Sequence, residues 1–151
     1  MLVLLLSNGD QRFALDAREV VEVVPSVPLR PVPAAPAWIA GLLHHRGDIV
    51  PVVDLARLSR GLAAAPRLST RIVVLRRRDT PDAGLIGVLA EGVTETARID
   101  PAALRDPGVR ASDAPWLGRI ALDGGALVQL VRWTDLVPAD LRAAVLEGGG
   151  A

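Results

Sequence analysis

Two adjacent histidines, His44 and His45, stand directly before Arg46, Gly47 and Asp48 in the stretch GLLHHRGDIVPVVDL. Imidazole nitrogens beside a carboxylate can bind a transition metal or transfer a proton. Successive strand residues point to opposite faces of a sheet, so adjacent histidines cannot easily share one ion. With 0 cysteines and 2 histidines in the chain, nothing further completes a zinc site. We therefore expect no metal, and we predict that at least one histidine is a partly exposed strand residue.

The tripeptide Arg46-Gly47-Asp48 also matches an adhesion signal, which would require an extracellular loop. The opening MLVLLL carries no basic region, and the polar SNGD follows at once, so we expect neither a signal peptide nor a membrane span. Glycine beside aspartate is common in tight turns between strands. The tripeptide is therefore predicted to be a hairpin turn in a cytoplasmic protein that does not insert into membranes.

The chain offers little for catalysis. It has no tyrosine, and its serines lie outside any nucleophile-elbow pattern. The acidic residues are scattered without a candidate acid–base pair, and GVLAEGV lacks the spacing of a phosphate-binding loop. A formal net charge of +0 suggests neither a polyphosphate ligand nor an anionic membrane surface. We expect a protein that is not an enzyme and has no cofactor.

A second class of function, nucleic-acid binding, depends on one feature, the basic run Arg76-Arg77-Arg78. Small barrels that bind single strands stack bases on aromatic side chains, and this chain has 1 Phe and 3 Trp. The run is more typical of the solvated end of a hairpin. A small-barrel nucleic-acid-binding protein stays as the less favoured alternative, and salt-dependent binding of oligonucleotides would support it.

Short apolar runs bounded by turn residues dominate the chain. They are rich in Val, Leu and Ile and cover residues 2–6, 18–24, 47–53, 70–76, 84–90 and 124–131. Such runs are typical of strands. The 12 prolines and 14 glycines leave little room for long helices, so we predict helical turns only at 54–61, 100–106 and near the C-terminus from Pro138.

A weak internal repeat relates two of these runs. When Gly47 is aligned with Gly125, the apolar pattern after it coincides: Ile49, Val50, Val52 and Val53 fall on Leu127, Val128, Leu130 and Val131. Trp38 and Trp116 occupy matching positions ahead of the two runs. The repeat predicts two similar β units. Units of about five strands usually close into barrels, since closure removes unpaired strand edges.

The blocks PAWIAG (36–41) and RGDIVPVVDL (46–55), with Glu22 ahead of them, resemble the CheW-like chemotaxis coupling proteins. The likeness continues through LIGVLAEGV (85–93) and LGRIALDGGALVQLVRWTDLV (117–137). The pair His44-His45 replaces a more usual polar-apolar pair, and Glu91 stands where aspartate is common. Despite these two departures, the resemblance covers nearly the whole chain.

The resemblance implies an all-β fold of two five-stranded SH3-like β-barrel subdomains that share an apolar core, with short helices. We expect residues 1–151 to form a single CheW-like domain. Its subdomains should cover about 13–70 and 71–137, with a strand at 2–6 and a C-terminal helix at 138–147 packed on them.

For function, the resemblance implies a non-enzymatic adaptor of bacterial signal transduction. It would join the helical cytoplasmic tips of chemoreceptors to the regulatory domain of a CheA-type histidine kinase, in the cytoplasm at membrane receptor arrays. An adaptor of another chemosensory pathway, controlling pilus motility or gene regulation, is the alternative within the same class.

Four residues are candidates for receptor binding. Glu22 and Arg46 are charges inside apolar blocks, and we expect them to pair because half-buried charges are seldom left alone. Val20 and Val50 flank them at positions that the resemblance assigns to receptor contact. Strand faces alternate, so either valine could instead belong to the core.

For the kinase, the resemblance points to exposed strand and turn residues of the first barrel, which would dock against a like barrel. The candidates are Gly47 and Asp48 in the predicted turn, and Leu55 and Arg57 in the LARL segment after it.

Trp38 and Trp116 are more typical of packing anchors than of contacts, because large aromatic side chains usually fill cores.

Overall fold

The computed structural model describes residues 1–76, 84–108, 116–133 and 136. Within these ranges the chain forms mainly strands: β1 (Leu2–Asn8), β2 (Gln11–Asp16), β3 (Val20–Pro25), β4 (Ile39–His45), β5 (Asp48–Asp54), β6 (Arg71–Arg76), β7 (Leu85–Ala90), β8 (Gly92–Arg98), β9 (Leu117–Asp123) and β10 (Ala126–Val131). Each predicted strand run contains a strand, although residues 18–19 belong to a 3-10 helix and residues 124–125 to a turn. The α-helix α1 spans Leu55–Arg60, and short 3-10 helices cover Ala17–Glu19 and Pro101–Ala103.

The strands form two five-stranded sheets of the same topology. The first sheet has the order β8-β1-β2-β10-β9 and the second has the order β3-β6-β7-β5-β4. In each sheet an antiparallel pair (β1-β2, β6-β7) meets one strand of a hairpin in parallel (β2-β10, β7-β5), and the other hairpin strand lies at the end. The expected all-β fold with two five-stranded units is confirmed.

The internal repeat is visible in side-chain burial and in backbone contacts. Ile49 and Leu127 are 46% and 65% exposed, whereas the residues after them, Val50 and Val128, are buried. The Trp38 carbonyl accepts the N–H of Asp54 at 2.8 Å, and the Trp116 carbonyl accepts the N–H of Arg132 at 2.7 Å. The hairpins β4-β5 and β9-β10 are therefore equivalent elements of the two sheets.

The chain divides between the sheets at different points from the expected 13–70 and 71–137. Strands β3 to β7, from Val20 to Ala90, all belong to the second sheet, so residues 71–90 stay with the strands that precede them. The first sheet combines the N-terminal hairpin with β8, β9 and β10. Strand β1 pairs with both β8 and β2, so it is an interior strand and not an addition packed on a finished barrel.

Three apolar clusters explain why many strands are buried on both faces. A shared cluster joins residues of both sheets, including Leu6 and Phe13 from the first and Val53 and Val73 from the second. A cluster around Val3, Leu5 and Ala14 belongs to the first sheet, and one around Val50, Val52 and Ile72 belongs to the second. Alternate residues of one strand, such as Val52 and Val53, enter different clusters because strand side chains alternate. The expected shared core is confirmed.

Helix α1 begins and ends as its sequence predicts. The Asp54 carboxylate accepts the Arg57 N–H at 3.1 Å as an N-cap, and Gly61 closes the helix at φ +74. The segment predicted at 100–106 forms only the short 3-10 helix, and the predicted helix at 138–147 lies outside the described residues. Within the described ranges, no helix has the length and apolar character that crossing a membrane requires.

Glu91 occupies the single position between β7 and β8, where the chain leaves the second sheet for the first. Its side chain is 4% exposed and accepts hydrogen bonds from the N–H groups of Gly9 and Ala65, each at 3.1 Å, and from Arg60. The Glu91 N–H donates to the Asn8 side chain at 3.1 Å. Glu91 therefore ties the β1-β2 turn and the segment after α1 to the crossing between the sheets.

Candidate functional site

Glu22 on β3 and Arg46 in the β4-β5 turn form an ion pair with two contacts. Arg46 Nε lies 3.2 Å from Glu22 Oε2, and Arg46 Nη2 lies 3.3 Å from Glu22 Oε1. The pairing expected from the sequence is therefore present. The guanidinium is not enclosed by it, because the Arg46 side chain is 75% exposed while that of Glu22 is 35% exposed. The pair presents a fixed cation to solvent.

The ion pair joins the two ends of the second sheet. Strand β3 is at one end of the strand order and β4, which leads into the turn, is at the other. A contact between Glu22 and the end of β4 requires the sheet to curl until its end strands meet. Closure of this kind limits the exposed strand edges that a flat sheet would leave unpaired. The site therefore lies where the second sheet closes on itself.

His45, the last residue of β4, is the second basic group at Glu22. Its Nε2 lies 3.2 Å from Glu22 Oε2 without the alignment for a hydrogen bond, and its side chain is 9% exposed. His44 points the opposite way and is exposed, which confirms that one of the two is an exposed strand residue. Sequence reasoning missed the role of His45. The signal was the strand period of two, which turns His45 inward when His44 faces out.

The turn that carries Arg46 has an uncommon backbone. Arg46 has φ +49 and Gly47 has φ +86, so both central residues of the hairpin are left-handed, as in the tight turns that fit twisted strands. Glycine adopts this conformation freely, but a residue with a Cβ is strained there. The predicted hairpin turn is confirmed, and it holds an arginine where glycine would be the unstrained choice.

The electrostatics of the pair favour its charged form. The hydrogen bond from Arg46 lowers the pKa of the Glu22 carboxyl below its usual value, against a smaller opposing effect of burial, and the charges of Arg46 and His45 act in the same direction. The hydrogen bond to Glu22 likewise raises the pKa of Arg46 above its usual value. Both groups therefore carry their charges throughout the physiological range.

The two valines expected to contact the receptor differ in position. Val20 is partly buried at the start of β3, and its side chain packs against the shared core. Val50 is 0% exposed and packs against Val52 and Ile72 inside the second sheet. The expectation for Val50 needs correction, because its position in β5 turns the side chain into the barrel. Of the two, only Val20 has surface available.

The residues expected to contact the kinase do not form one surface. Gly47 and Asp48 are exposed in the turn beside Arg46, whereas Leu55 is 0% exposed and belongs to the shared core. Leu55 therefore cannot offer its side chain to a partner. Arg57 is partly buried on α1, beyond the seven residues of β5, so the turn and the helix are separated by about 20 Å along that strand.

A pocket of about 360 Å³ lies next to the turn. It is lined by Arg30, Leu42, Leu43, His44, Gly47 and Ile49. Leu42 and Leu43 provide a buried apolar floor, and Ile49 is 46% exposed at the rim. The pocket extends the surface beside Arg46 with apolar area, which protein-binding sites combine with a few charged groups.

The sequence analysis also singled out two tryptophans, a basic run and the question of a metal site. Trp116 is 4% exposed in the shared core, and Trp38 is partly buried against it, so both act as packing anchors as predicted. Of the basic run, only Arg76 is described, and Arg77 and Arg78 lie outside the described residues. In the part of the chain that the structure describes, no three His, Asp or Glu side chains gather as a metal ion would require.

Comparison with known proteins matches this chain to a family. The family model of the CheW-like domain matches residues 2–140. Chemotaxis protein CheW of Rhizobium meliloti (strain 1021) is 27% identical, over 90% of this chain and 86% of its own length. Protein FrzA of Myxococcus xanthus is 32% identical, over 91% of this chain and 85% of its own length.

A solved structure supports the fold. The scaffolding protein TtCheW from Thermoanaerobacter tengcongensis matches with a TM-score of 0.76 and 23% sequence identity. The match covers 86% of this chain and 82% of that one. Its fold therefore agrees with the two-sheet arrangement described above.

Proposed function

The chain belongs to the CheW-like domain family, and on that premise we propose that it is a non-enzymatic adaptor that couples chemoreceptor tips to a CheA-type histidine kinase in the cytoplasm. The two curated relatives above carry the names of a chemotaxis protein and of FrzA, and the similar solved structure is that of a scaffolding protein. The observation that carries the proposal is the exposed ion pair between Glu22 and Arg46.

Receptor binding is assigned to the surface around this ion pair. Arg46 offers a guanidinium that is 75% exposed but held in one place by Glu22, and Val20 adds partly exposed apolar surface on the same strand as Glu22. Fixed charge beside apolar area fits an amphipathic helix, and receptor tips are helical hairpins. Arrays present many copies of each contact, so individual contacts can be weak.

Kinase binding is assigned to the exposed residues of the second sheet beside the turn. Gly47 and Asp48 are exposed there, and the neighbouring pocket exposes Ile49. The kinase would have to contact Arg57 on α1 at a separate place, because the length of β5 lies between Arg57 and the turn. The kinase surface therefore centres on the turn, with Arg57 as a remote candidate.

The function is tested by pull-down of the purified protein with a receptor cytoplasmic hairpin and a kinase regulatory domain from the same organism. We expect both to be captured. Arg46→Glu should abolish receptor capture and leave circular dichroism unchanged. Arg98→Glu is the matched control, because Arg98 is exposed on β8 of the first sheet, whereas Glu22 and Arg46 belong to the second. Loss of fold in Arg46→Glu, or capture of neither partner by the native protein, would refute the assignment.

An adaptor of another chemosensory pathway is the second candidate, because Protein FrzA, at 32% identity, is a relative whose name is not that of a chemotaxis protein. The same surface would serve a different receptor. Capture of a pilus-pathway or gene-regulation receptor, but not of the chemotaxis receptor, would select this alternative.

A further inference from the structure

The end of β1 carries a residue pair, Asn8-Gly9, whose own backbone is able to attack a side chain. The Gly9 amide nitrogen follows the Asn8 side-chain amide directly, so the two are able to close a succinimide ring. Glycine has no Cβ to hinder this approach. Asn8 is also the only asparagine in the chain. Any asparagine chemistry in this protein therefore takes place at this position.

In the folded protein, Glu91 binds both of the groups that would react. The Gly9 N–H donates to the Glu91 carboxylate at 3.1 Å, and the Glu91 N–H donates to Asn8 Oδ1 at 3.1 Å. The attacking nitrogen and the amide that it would attack are therefore both fixed by one residue at the crossing between the sheets.

The strands on either side fix the backbone as well. Asn8 is paired with Gln11 in the β1-β2 hairpin, and Ser7 before it is paired with Gly92 on β8. Ring closure requires the Gly9 nitrogen to turn onto Asn8 Cγ, which these pairings oppose. Asn8 is also 0% exposed, so the water that would open the ring does not reach it.

Electrostatics oppose the reaction in the same direction. The Gly9 nitrogen must lose its proton before it attacks, and the negative Glu91 carboxylate beside it disfavours a second negative charge. The N–H groups of Ala65 and Gly9, together with Arg60, hold the pKa of Glu91 below its usual value despite its burial. The carboxylate is therefore a weak base and does not promote removal of the proton.

From these contacts we propose that Asn8 is a deamidation site that the crossing between the sheets protects and that local opening of the crossing exposes. Once the Gly9 N–H has left Glu91, its nitrogen loses a proton to solvent and forms a bond to Asn8 Cγ. The Cγ–Nδ2 bond breaks, and Nδ2 takes up a proton and leaves as ammonia. Water then opens the succinimide to aspartate or isoaspartate at position 8. The site does not depend on the proposed function.

The product does not fit the place that Asn8 occupies. Asn8 Nδ2 has no hydrogen-bond partner among the residues that the structure describes. An aspartate would put a carboxylate oxygen there, and a buried charge without a partner is costly. Isoaspartate would lengthen the main chain and disturb the pairing with Gln11. Deamidation therefore leaves the crossing weakened, and each opening event that leads to it becomes permanent.

The test compares deamidation of the full chain when native and when unfolded in urea, measured by mass spectrometry of the peptide that contains Asn8. The reference is acetyl-Leu-Ser-Asn-Gly-Asp-amide, which copies residues 6–10. We expect the unfolded chain to react at the rate of the reference peptide and the native chain to react at least about tenfold more slowly, because it must first open. A native rate equal to that of the peptide would overturn the proposal, and so would a faster one, which would make Glu91 a base.

Two variants test the part played by Glu91 and the fate of the product. Glu91→Gln weakens the bond from Gly9 and should accelerate deamidation of the folded protein about fivefold or more, whereas Glu95→Gln, on exposed β8 surface, should not. Equal rates in the two variants would refute the protective role.

Asn8→Asp places the product in the chain directly, so it keeps the test independent of how well Glu91→Gln folds. Its urea midpoint should lie below that of the native protein. Gln11→Glu is the matched control, because it adds the same charge at an exposed position of the same hairpin. Equal midpoints for the two variants would show that the crossing accepts the product, against the proposal.

Discussion

Arg46 reaches Glu22 from a backbone conformation that disfavours any side chain. At φ +49 it contacts the carboxylate through Nε at 3.2 Å and Nη2 at 3.3 Å, while 75% of its side chain stays exposed. The equivalent turn of the first sheet uses Gly124 at φ +58. The arginine therefore occupies a position where glycine would satisfy the fold, and its side chain adds an exposed cation there.

Arg46→Gly separates these two roles. Relief of the left-handed strain opposes the loss of an exposed ion pair, so we expect a thermal midpoint equal to or slightly above that of the native protein. Receptor capture should fall roughly tenfold, the size of effect expected when a charge at an interface is removed. Thermal melts and pull-downs measure the two effects. A large drop in the midpoint would instead make the ion pair a structural element.

Exchanging the two charges tests which partner faces the receptor. The double variant Glu22→Arg/Arg46→Glu should regain the ion pair that closes the second sheet but should not regain receptor binding, because the exposed group is then anionic. The measurement is receptor capture by each single variant and by the double variant. Full recovery in the double variant would show that closure, and not the exposed cation, is what the receptor requires.

Glu91→Gln should destabilise the protein by about 1–3 kcal/mol at neutral pH, because a buried acceptor that receives backbone hydrogen bonds is weakened. Urea unfolding measures the loss. Glu95→Gln is the matched control, since Glu95 is exposed and should change stability little.

The lowered pKa of Glu91 predicts how the free energy of unfolding changes at acidic pH. Burial raises the pKa of the Glu91 carboxyl, but the N–H groups of Ala65 and Gly9 together with Arg60 outweigh it, so the pKa lies below its usual value. Its contribution is therefore complete above the ordinary glutamate pKa and is lost as pH falls through the lowered one. The stability of Glu91→Gln should fall less steeply than that of the native protein below about pH 4.5. Parallel curves would contradict this.

Leu55→Ala should cost about 2–5 kcal/mol of folding free energy, because it leaves a cavity in the shared core. Protein that remains folded should bind the kinase regulatory domain with native affinity, since the Leu55 side chain is 0% exposed. Denaturant unfolding and binding below the unfolding transition measure the two quantities. Val50→Ala is the companion variant and should likewise lose stability without losing receptor affinity. Weakened binding by a fully folded variant would restore a contact role.

The local features of the fold could be predicted from the sequence because they depend on residues that are neighbours in the chain. The Asp54 cap and Gly61 stop delimit α1, and Gly47 beside Asp48 predicted the turn between β4 and β5. The alignment of Gly47 with Gly125 also identified the two equivalent hairpins. The pairing of Glu22 with Arg46 was predicted because a charge within an apolar block needs a partner.

Other features were decided only by the tertiary structure. Which face of β5 meets the barrel interior depends on its neighbours in the sheet, so Val50 could not be assigned from a strand that is buried on both sides. The hydrogen bond from the Gly9 N–H to the Glu91 carboxylate joins residues 82 apart in sequence, and no local sequence pattern predicts it. The N-terminal hairpin likewise enters the first sheet through pairing with β8 and β10, which lie far along the chain. Sequence thus determined the elements and their turns, whereas long-range pairing determined which side chains reach the surface together.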